Sequence, residues 1–260
     1  MEMSSMLPKS WQGTATLHLP FAGGLFVYIL IWLLCLTLLY FVIRGARSSS
    51  SFMKWTTQDI LIVAIMGVIL EVYDNMIGDQ FVTPIIRNIP FAHIFAANDL
   101  PYMFLLMVGI AIVRKPGAAT AMVFVDFLIM QLLYGGSEST PLYWPYGLAQ
   151  GLFIDLYFLS RQGSVFASGG FRNFWDGLVM GALRAIPAVT IQSLFMGPFL
   201  NGQTETVALV FWYSLFNAIG NGLEAGITAP LAIRVARAVG LYSGTVASDG
   251  SLLNAGRDAL

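Results

Sequence analysis

Charged residues, cysteine and histidine are all scarce in this sequence. Only 10% of its 260 residues are charged, one is cysteine and two are histidine. Cys35 therefore has no intrachain disulfide partner, and neither His18 nor His93 lies in the middle of an apolar run. These absences exclude an intrachain disulfide and argue against a bis-histidine haem or a histidine-rich metal site. We expect no metal and no other cofactor.

Common enzyme motifs are missing as well. The sequence contains no G-x-x-x-x-G-K-[ST], H-E-x-x-H, C-x-x-C or G-x-S-x-G pattern. The chain therefore cannot hydrolyse ATP through a P-loop of its own. Its formal net charge of −1 provides no overall field that would attract nucleic acid. We expect a protein that is not an enzyme and has no nucleic-acid partner.

Apolar residues dominate what remains. They make up 57% of the chain, and the mean hydropathy of +0.74 is typical of a protein with several membrane spans, whose main partner is the lipid bilayer. Because a helix needs about 20 apolar residues to cross the bilayer, we predict an all-α, polytopic membrane helix bundle with seven spans. They are 21–43, 59–77, 98–113, 117–134, 143–160, 174–199 and 206–239.

Two apolar segments differ from the other spans. The span 21–43 is followed by Arg44, Arg47 and a serine run rather than by a small-residue cleavage site, so we interpret it as a retained anchor. The segment 81–97 is apolar but contains Pro84, Arg87 and Pro90, which favours a re-entrant or surface-lying segment over a span. We therefore divide the chain into an N-terminal segment, 1–53, and a six-helix membrane domain, 54–260.

The basic residues predict the orientation in the membrane. Ten of the thirteen would lie on one side of the bundle, and such an excess marks the cytoplasmic side. The ten are Arg44, Arg47, Lys54, Arg114, Lys115, Arg161, Arg172, Arg234, Arg237 and Arg257. Only Lys9 and Arg87 fall on the other side, and Arg184 falls inside the sixth span. We predict a multi-pass protein of the cell membrane with its N-terminus outside and its C-terminus in the cytoplasm.

Polar residues inside the predicted spans form the candidate binding site. An ionisable group in hydrocarbon is costly unless it faces a cavity or a partner, and four spans carry polar groups at or above mid-depth, with aromatic residues at the outer mouth. The candidates are Glu71, Asp74, Asp126, Gln131, Trp144, Tyr146, Gln150, Asp155, Asn217 and Asn221. Carboxylates that accept hydrogen bonds beside stacking aromatic rings suit an aminopyrimidine or a cationic ring as ligand.

Structural roles for the same residues remain open. Asp155 could form a buried ion pair with Arg184, and Asn217 and Asn221 could bond one helix to another. Gly177, Gly181 and Ala185 form a small-residue stripe that suits either internal packing or the docking of a partner subunit.

Four sequence elements resemble one known family. They are "KWTTQDI" (54–60), "RKPGAA" (114–119), "YGLAQGLFIDLYFL" (146–159) and "LYSGTVASDG" (241–250). In these elements, and in the order and spacing of six helices, the chain resembles the YkoE family, the substrate-binding membrane subunits (S components) of energy-coupling-factor (ECF) ABC transporters. The resemblance covers about 54–250. The helix 21–43 and the longer segment 78–99 have no counterpart in the family's usual pattern.

The resemblance implies a function. The chain would capture thiamine or its hydroxymethylpyrimidine precursor, a small-molecule vitamin substrate, from outside the cell. Its partners would be a coupling membrane subunit and a pair of ABC-type ATPase subunits. Two other functions fit the composition: a scaffold subunit of a larger membrane complex, and a secondary transporter that carries protons on Glu71, Asp126 or Asp155.

Overall fold

Seven long helices form the part of the protein that the structure describes. The computed structural model describes residues 7–48, 55–89, 92, 94–134, 141–161, 164–167, 169–202 and 204–240. His93, Lys54, Arg257 and the 241–250 element lie outside these ranges. The helices are α1 (Phe21–Ser48), α2 (Thr57–Glu71), α3 (Leu100–Val113), α4 (Ala118–Tyr134), α5 (Trp144–Ser160), α6 (Gly170–Ile191) and α7 (Val207–Ala238). Over the described ranges there is no strand, so the predicted all-α bundle is confirmed.

Short helical segments extend or join these helices. A π-helix, Val72–Val82, continues α2 and leads into one more α-turn, Thr83–Ile86, and a second π-helix, Gln192–Asn201, continues α6. Two 3-10 turns, Ala97–Asp99 and Pro141–Tyr143, precede α3 and α5, and a single turn, Lys9–Gln12, precedes α1.

The second helix is longer than the sequence predicts. It runs without interruption over Thr57–Ile86, so the predicted end at 77 is wrong, and 81–86 does not belong to a separate re-entrant or surface-lying segment. Pro84 lies at the junction between the π-helix and the last α-helical turn.

Three stretches of the described chain are long and apolar enough to cross a membrane, namely Phe21–Gly45, Thr57–Ile86 and Gly170–Leu200. Ala97–Val113 and Ala118–Leu133 are shorter apolar helices. At about 1.5 Å per residue, a helix of 14–17 residues spans roughly 21–26 Å, somewhat less than the hydrocarbon core of a bilayer.

Small residues bring α6 and α7 into close contact. A Cβ atom added at Gly177 would lie 2.5 Å from the carbonyl oxygen of Ala225, and one added at Gly181 would lie 2.2 Å from that of Asn221. The small-residue stripe of α6 is therefore buried, with Gly177 and Gly181 against α7. This confirms internal packing, which is one of the two roles predicted for the stripe.

The additional helix α1 lies at the edge of the bundle. Cys35 and Val42 are buried against Ala149 and Leu152 of α5, whereas much of the opposite face of α1 is exposed. This arrangement leaves α1 with one packed face and one face for lipid. The division of the chain at residue 53 stays a prediction.

Residues 7–16, which we call the N-terminal strap, cross the beginning of α7. The rings of Trp11 and Trp212 stack with their centroids 4.5 Å apart. The N–H of Val207 donates to the carbonyl of Ala15 at 2.9 Å, and the Thr206 hydroxyl bonds the carbonyl of Gln12. The strap thus satisfies backbone groups at the end of α7.

Candidate functional site

Acidic side chains of α2, its π-helix and α4 meet inside the bundle. Glu71 is the last residue of α2, is buried, and accepts a hydrogen bond from Asn75 Nδ2 at 2.8 Å. Its carboxyl group lies beside that of Asp126 on α4. Two neighbouring carboxyl groups in an apolar interior are costly unless further polar groups contact them.

Tyr102 connects this acidic pair to an arginine. Its hydroxyl donates to Asp126 Oδ2 at 3.0 Å, and the guanidinium carbon of Arg184 lies 4.4 Å from the centroid of its ring. Such a cation–π contact is strongest where water is excluded, and Tyr102 is only 2% exposed. The aromatic ring therefore lies between the acidic pair and the positive charge.

Arg184 in turn binds two polar side chains from other elements. Its Nη1 donates to Asp99 Oδ2 at 2.8 Å and to Asn221 Oδ1 at 2.7 Å. The 3-10 turn before α3, α6 and α7 are thereby tied together, and the positive charge is balanced by an adjacent carboxylate, as a buried charge requires. We call the connected residues Glu71, Asp126, Tyr102, Arg184, Asp99 and Asn221 the polar network.

A cavity of about 290 Å³ opens beside Arg184. Its size is at the lower end of the range for small-molecule sites. The polar side chains in its wall are Asn98, Asp99, Tyr146, Arg184, Gln192, Ser193, Glu205, Tyr213, Asn217 and Asn221. This wall combines carboxylate, amide, hydroxyl and guanidinium groups with two tyrosines, so it offers both hydrogen-bond donors and acceptors to a ring-sized ligand.

The predicted site residues fall into five groups. Tyr146, Asn217 and Asn221 line the cavity, and Glu71 and Asp126 belong to the polar network. Asp74 is partly exposed, and its charge is close to those of Asp99 and Arg184. Gln150 is buried and donates weakly to the carbonyl of Tyr146 at 3.4 Å. The last group, Gln131, Trp144 and Asp155, lies outside the cavity wall.

The members of this last group bond to one another or to a helix end. The indole N–H of Trp144 donates to Gln131 Oε1 at 3.1 Å. Asp155 accepts from the N–H and the hydroxyl of Thr120, at 2.8 and 2.5 Å. It therefore caps α4 from the neighbouring helix and does not pair with Arg184, contrary to the predicted alternative, because unpaired N–H groups at a helix start attract a carboxylate.

Two of the quoted sequence elements meet at the turn before α4. Lys115 Nζ lies 2.5 Å from Asp59 Oδ2, and the indole N–H of Trp55 donates to the carbonyl of Pro116 at 3.2 Å. Arg114 is fully buried in a left-handed conformation and donates to the carbonyl of Val165 at 3.1 Å. The "RKPGAA" element is therefore a packed joint between helices as well as a basic turn.

Arg184 and Asp99 are the residues that sequence reasoning placed least well. The sequence offers Asp155 as a partner of Arg184, and Asp99 falls within the predicted span 98–113 with no role assigned to it. A usable signal existed, since Arg184 lies in the middle of a predicted span whereas Arg234 and Arg237 lie near the end of theirs, and an intramembrane charge marks a site with a partner nearby.

Comparison with known proteins yields one match. Residues 58–167 match the family described as "ABC-type cobalt transport system, permease component". This match runs from α2 through α5 and covers fewer than half of the residues. It supports a membrane component of an ABC-type transporter. Such a component is not an enzyme, is embedded in the cell membrane and works with ABC-type ATPases. No curated protein and no solved structure matches the chain.

Proposed function

We propose that the chain is the substrate-binding membrane subunit of an ECF-type vitamin uptake transporter, with thiamine or its hydroxymethylpyrimidine precursor as the ligand. The observation that carries the proposal is the polar cavity beside Arg184, which is walled by four separate parts of the chain inside an otherwise apolar bundle. Polar groups inside a membrane bundle mark a substrate path or binding site.

The cavity's chemistry suits an aminopyrimidine. Asp99 Oδ2 accepts from Arg184, and a carboxylate has further lone pairs for an exocyclic amino group. Asn217 and Ser193 provide amide and hydroxyl groups for ring nitrogens, and Tyr146 and Tyr213 provide aromatic faces. A volume of about 290 Å³ fits a ligand of this size better than a large, extended one.

The direction of transport follows from the predicted orientation. Asn217 and Asn221 lie 10 and 14 residues after Val207, and thus about 15 and 21 Å along α7 from its predicted outer end. The ligand would enter beside Glu205 and be held near mid-depth. Release to the cytoplasm would follow a rigid-body movement driven by the ATPase subunits through the coupling membrane subunit, as the family resemblance implies.

Calorimetric titration of the detergent-purified full chain with thiamine and with hydroxymethylpyrimidine tests the proposal. We expect sub-micromolar binding of one of the two compounds. Ala188 lines the cavity, so Ala188→Leu places three more carbon atoms in it and leaves less space for the ligand. We expect affinity to fall about tenfold or more, since overpacking of a tight site costs roughly 1–3 kcal/mol.

The matched control is Thr190→Leu. Thr190 lies on the same helix, bonds only its own helix at the carbonyl of Ile186 and is absent from the cavity wall, so this variant should bind as the wild type does. Failure of the wild type to bind either compound would overturn the choice of ligand. Equal binding by the Ala188→Leu and wild-type proteins would overturn the choice of cavity.

Cobalt is a second candidate substrate, favoured by the description of the matching family. Within the described ranges, no three histidine, cysteine or acidic side chains are grouped closely enough to hold a metal ion. A titration with a cobalt(II) salt beside the two vitamins separates the candidates. Binding of cobalt(II) that is lost in Asp99→Asn, with no binding of either organic compound, would favour the metal.

A further inference from the structure

A second, larger cavity lies between α1 and the bundle. It encloses about 900 Å³ and is almost entirely apolar. We call it the apolar groove. Its wall comprises Trp32, Leu36, Leu39, Val42 and Ile43 of α1 together with Trp55, Pro116, Gly117, Thr120, Ala121, Phe124, Trp144 and Leu148. It shares no residue with the cavity beside Arg184.

The groove has a defined length. Along α1 it extends from Trp32 to Ile43, which is 11 residues and thus about 16 Å. This is close to half of the roughly 30 Å thickness of a bilayer's hydrocarbon core. Trp32 is also the midpoint of the predicted span 21–43, so the groove runs from the bilayer centre to one surface, which is the depth of a single leaflet.

Small residues form the floor of the groove. A Cβ atom added at Gly117 would meet Trp55 at 3.4 Å and Val42 at 3.7 Å, so these two side chains lie against the glycine. Farther along α4, Ala121 leaves space that a larger side chain would fill. The rings of Phe124 and Trp144 meet edge to face with centroids 5.3 Å apart.

The two ends of the groove differ in charge. At the mid-membrane end, around Trp32, the groove wall is apolar. At the other end, Arg44 directly follows the last lining residue of α1 and is exposed. Trp55 lies at this end too, and indole rings favour the level of lipid headgroups. An anionic headgroup at this level would be attracted to the guanidinium.

From the length, the apolar wall and the charge at one end, we propose that the groove holds one acyl chain of an anionic phospholipid, whose headgroup lies beside Arg44. The acyl chain extends from there toward Trp32 and fills the space between α1 and α4. The lipid thus completes the contact of the additional helix with the rest of the bundle.

Native mass spectrometry of the full chain tests this site. The protein is delipidated in detergent and then exposed to equal amounts of phosphatidylglycerol and phosphatidylcholine. We expect one retained phospholipid per protein. Phosphatidylglycerol should be retained about fivefold more than phosphatidylcholine, because this is the preference that one basic residue near an anionic headgroup provides. Ala121→Phe, which fills the groove, should lose the retained lipid, and Arg44→Gln should keep a lipid but lose the preference.

Two further variants separate this site from general effects. Leu34→Phe places the same ring on an exposed part of α1 outside the groove wall and should retain lipid as the wild type does. Leu148→Phe fills the groove from α5 and replaces Ala121→Phe if circular dichroism shows that the latter has lost its helix content. Equal lipid retention by the wild type and the filled variants, or no retention by the wild type, overturns the site. An equal ratio of the two lipids overturns the role of Arg44.

Discussion

At the scale of single residues, Asp155 shows how one carboxylate joins two helices. It lies on α5 but accepts hydrogen bonds from two backbone N–H groups of α4, those of Ala119 at 3.4 Å and Thr120 at 2.8 Å. Asp155 is 1% exposed, so these N–H groups have no access to water as an alternative partner. The carboxylate therefore stabilises the start of α4 and fixes the height of α5 beside it.

Replacement of this carboxylate should lower the stability of the fold. We expect Asp155→Ala to reduce the free energy of unfolding by about 1–3 kcal/mol, since buried donors then lack an acceptor. Thr120→Val removes only the hydroxyl donor and should have a smaller effect. Thermal unfolding of the two purified variants in the same detergent measures the difference. Equal melting temperatures for Asp155→Ala and the wild type would rule out the capping role.

At the scale of helices, the contact between α4 and α5 depends on one glycine. A Cβ atom added at Gly151 would lie 2.3 Å from the Cα atom of Thr120, whereas one added at Gly147 would meet the ring of Phe127 at 2.7 Å. The backbone at Thr120 cannot move locally to make room for an added methyl group, but the ring of Phe127 can rotate or shift. The two glycines lie one turn apart on the same helix, so they form a matched pair.

We expect Gly151→Ala to destabilise the protein by about 1–3 kcal/mol because the extra methyl group forces the helices apart. Gly147→Ala should cost less, and the higher helix propensity of alanine offsets part of that cost. Chemical or thermal unfolding of both variants gives the comparison. A larger loss of stability for Gly147→Ala than for Gly151→Ala would contradict the backbone contact.

The sequence predicts the helices better than their ends. Long apolar runs predict the seven long helices of the described ranges. The predicted end of the second helix is too early because Pro84, Arg87 and Pro90 favour an interrupted segment over 81–97. The helix instead continues through Pro84 to Ile86.

The candidate site was predicted in part for a related reason. Tyr146, Asn217 and Asn221 stood out because each lies within an apolar run, and all three line the cavity. Spacing along one helix could not show that Trp144 turns toward the apolar groove or that Asp155 turns toward α4. Those directions depend on the rotation of each helix about its axis, which is set by packing against neighbours.

At the scale of the whole molecule, the N-terminal strap connects the first described residues to the last helix. Trp11 stacks on Trp212, which directly precedes the cavity residue Tyr213. We expect Trp11→Ala to release the strap and to increase amide hydrogen exchange in 206–213, because Val207 and Leu209 depend on the strap and on Thr206 for hydrogen-bond acceptors.

Trp175→Ala is the matched control for this variant. Trp175 is 47% exposed and Trp11 is 43% exposed, but Trp175 packs on Phe171 and Phe174 near the start of α6. Exchange in 206–213 should therefore stay at the wild-type rate in Trp175→Ala. If both variants changed the exchange of this segment equally, the strap would not be what protects it.

The ion pair between Asp99 and Arg184 has a consequence for the order of synthesis. The two residues are 85 positions apart in the chain. At about 5–20 residues per second, a ribosome needs roughly 4–17 s to pass from one to the other. The acidic side of the cavity is therefore made first and remains without its counter-ion for that time. Only the arrival of α6 neutralises it, so the cavity is a late product of translation.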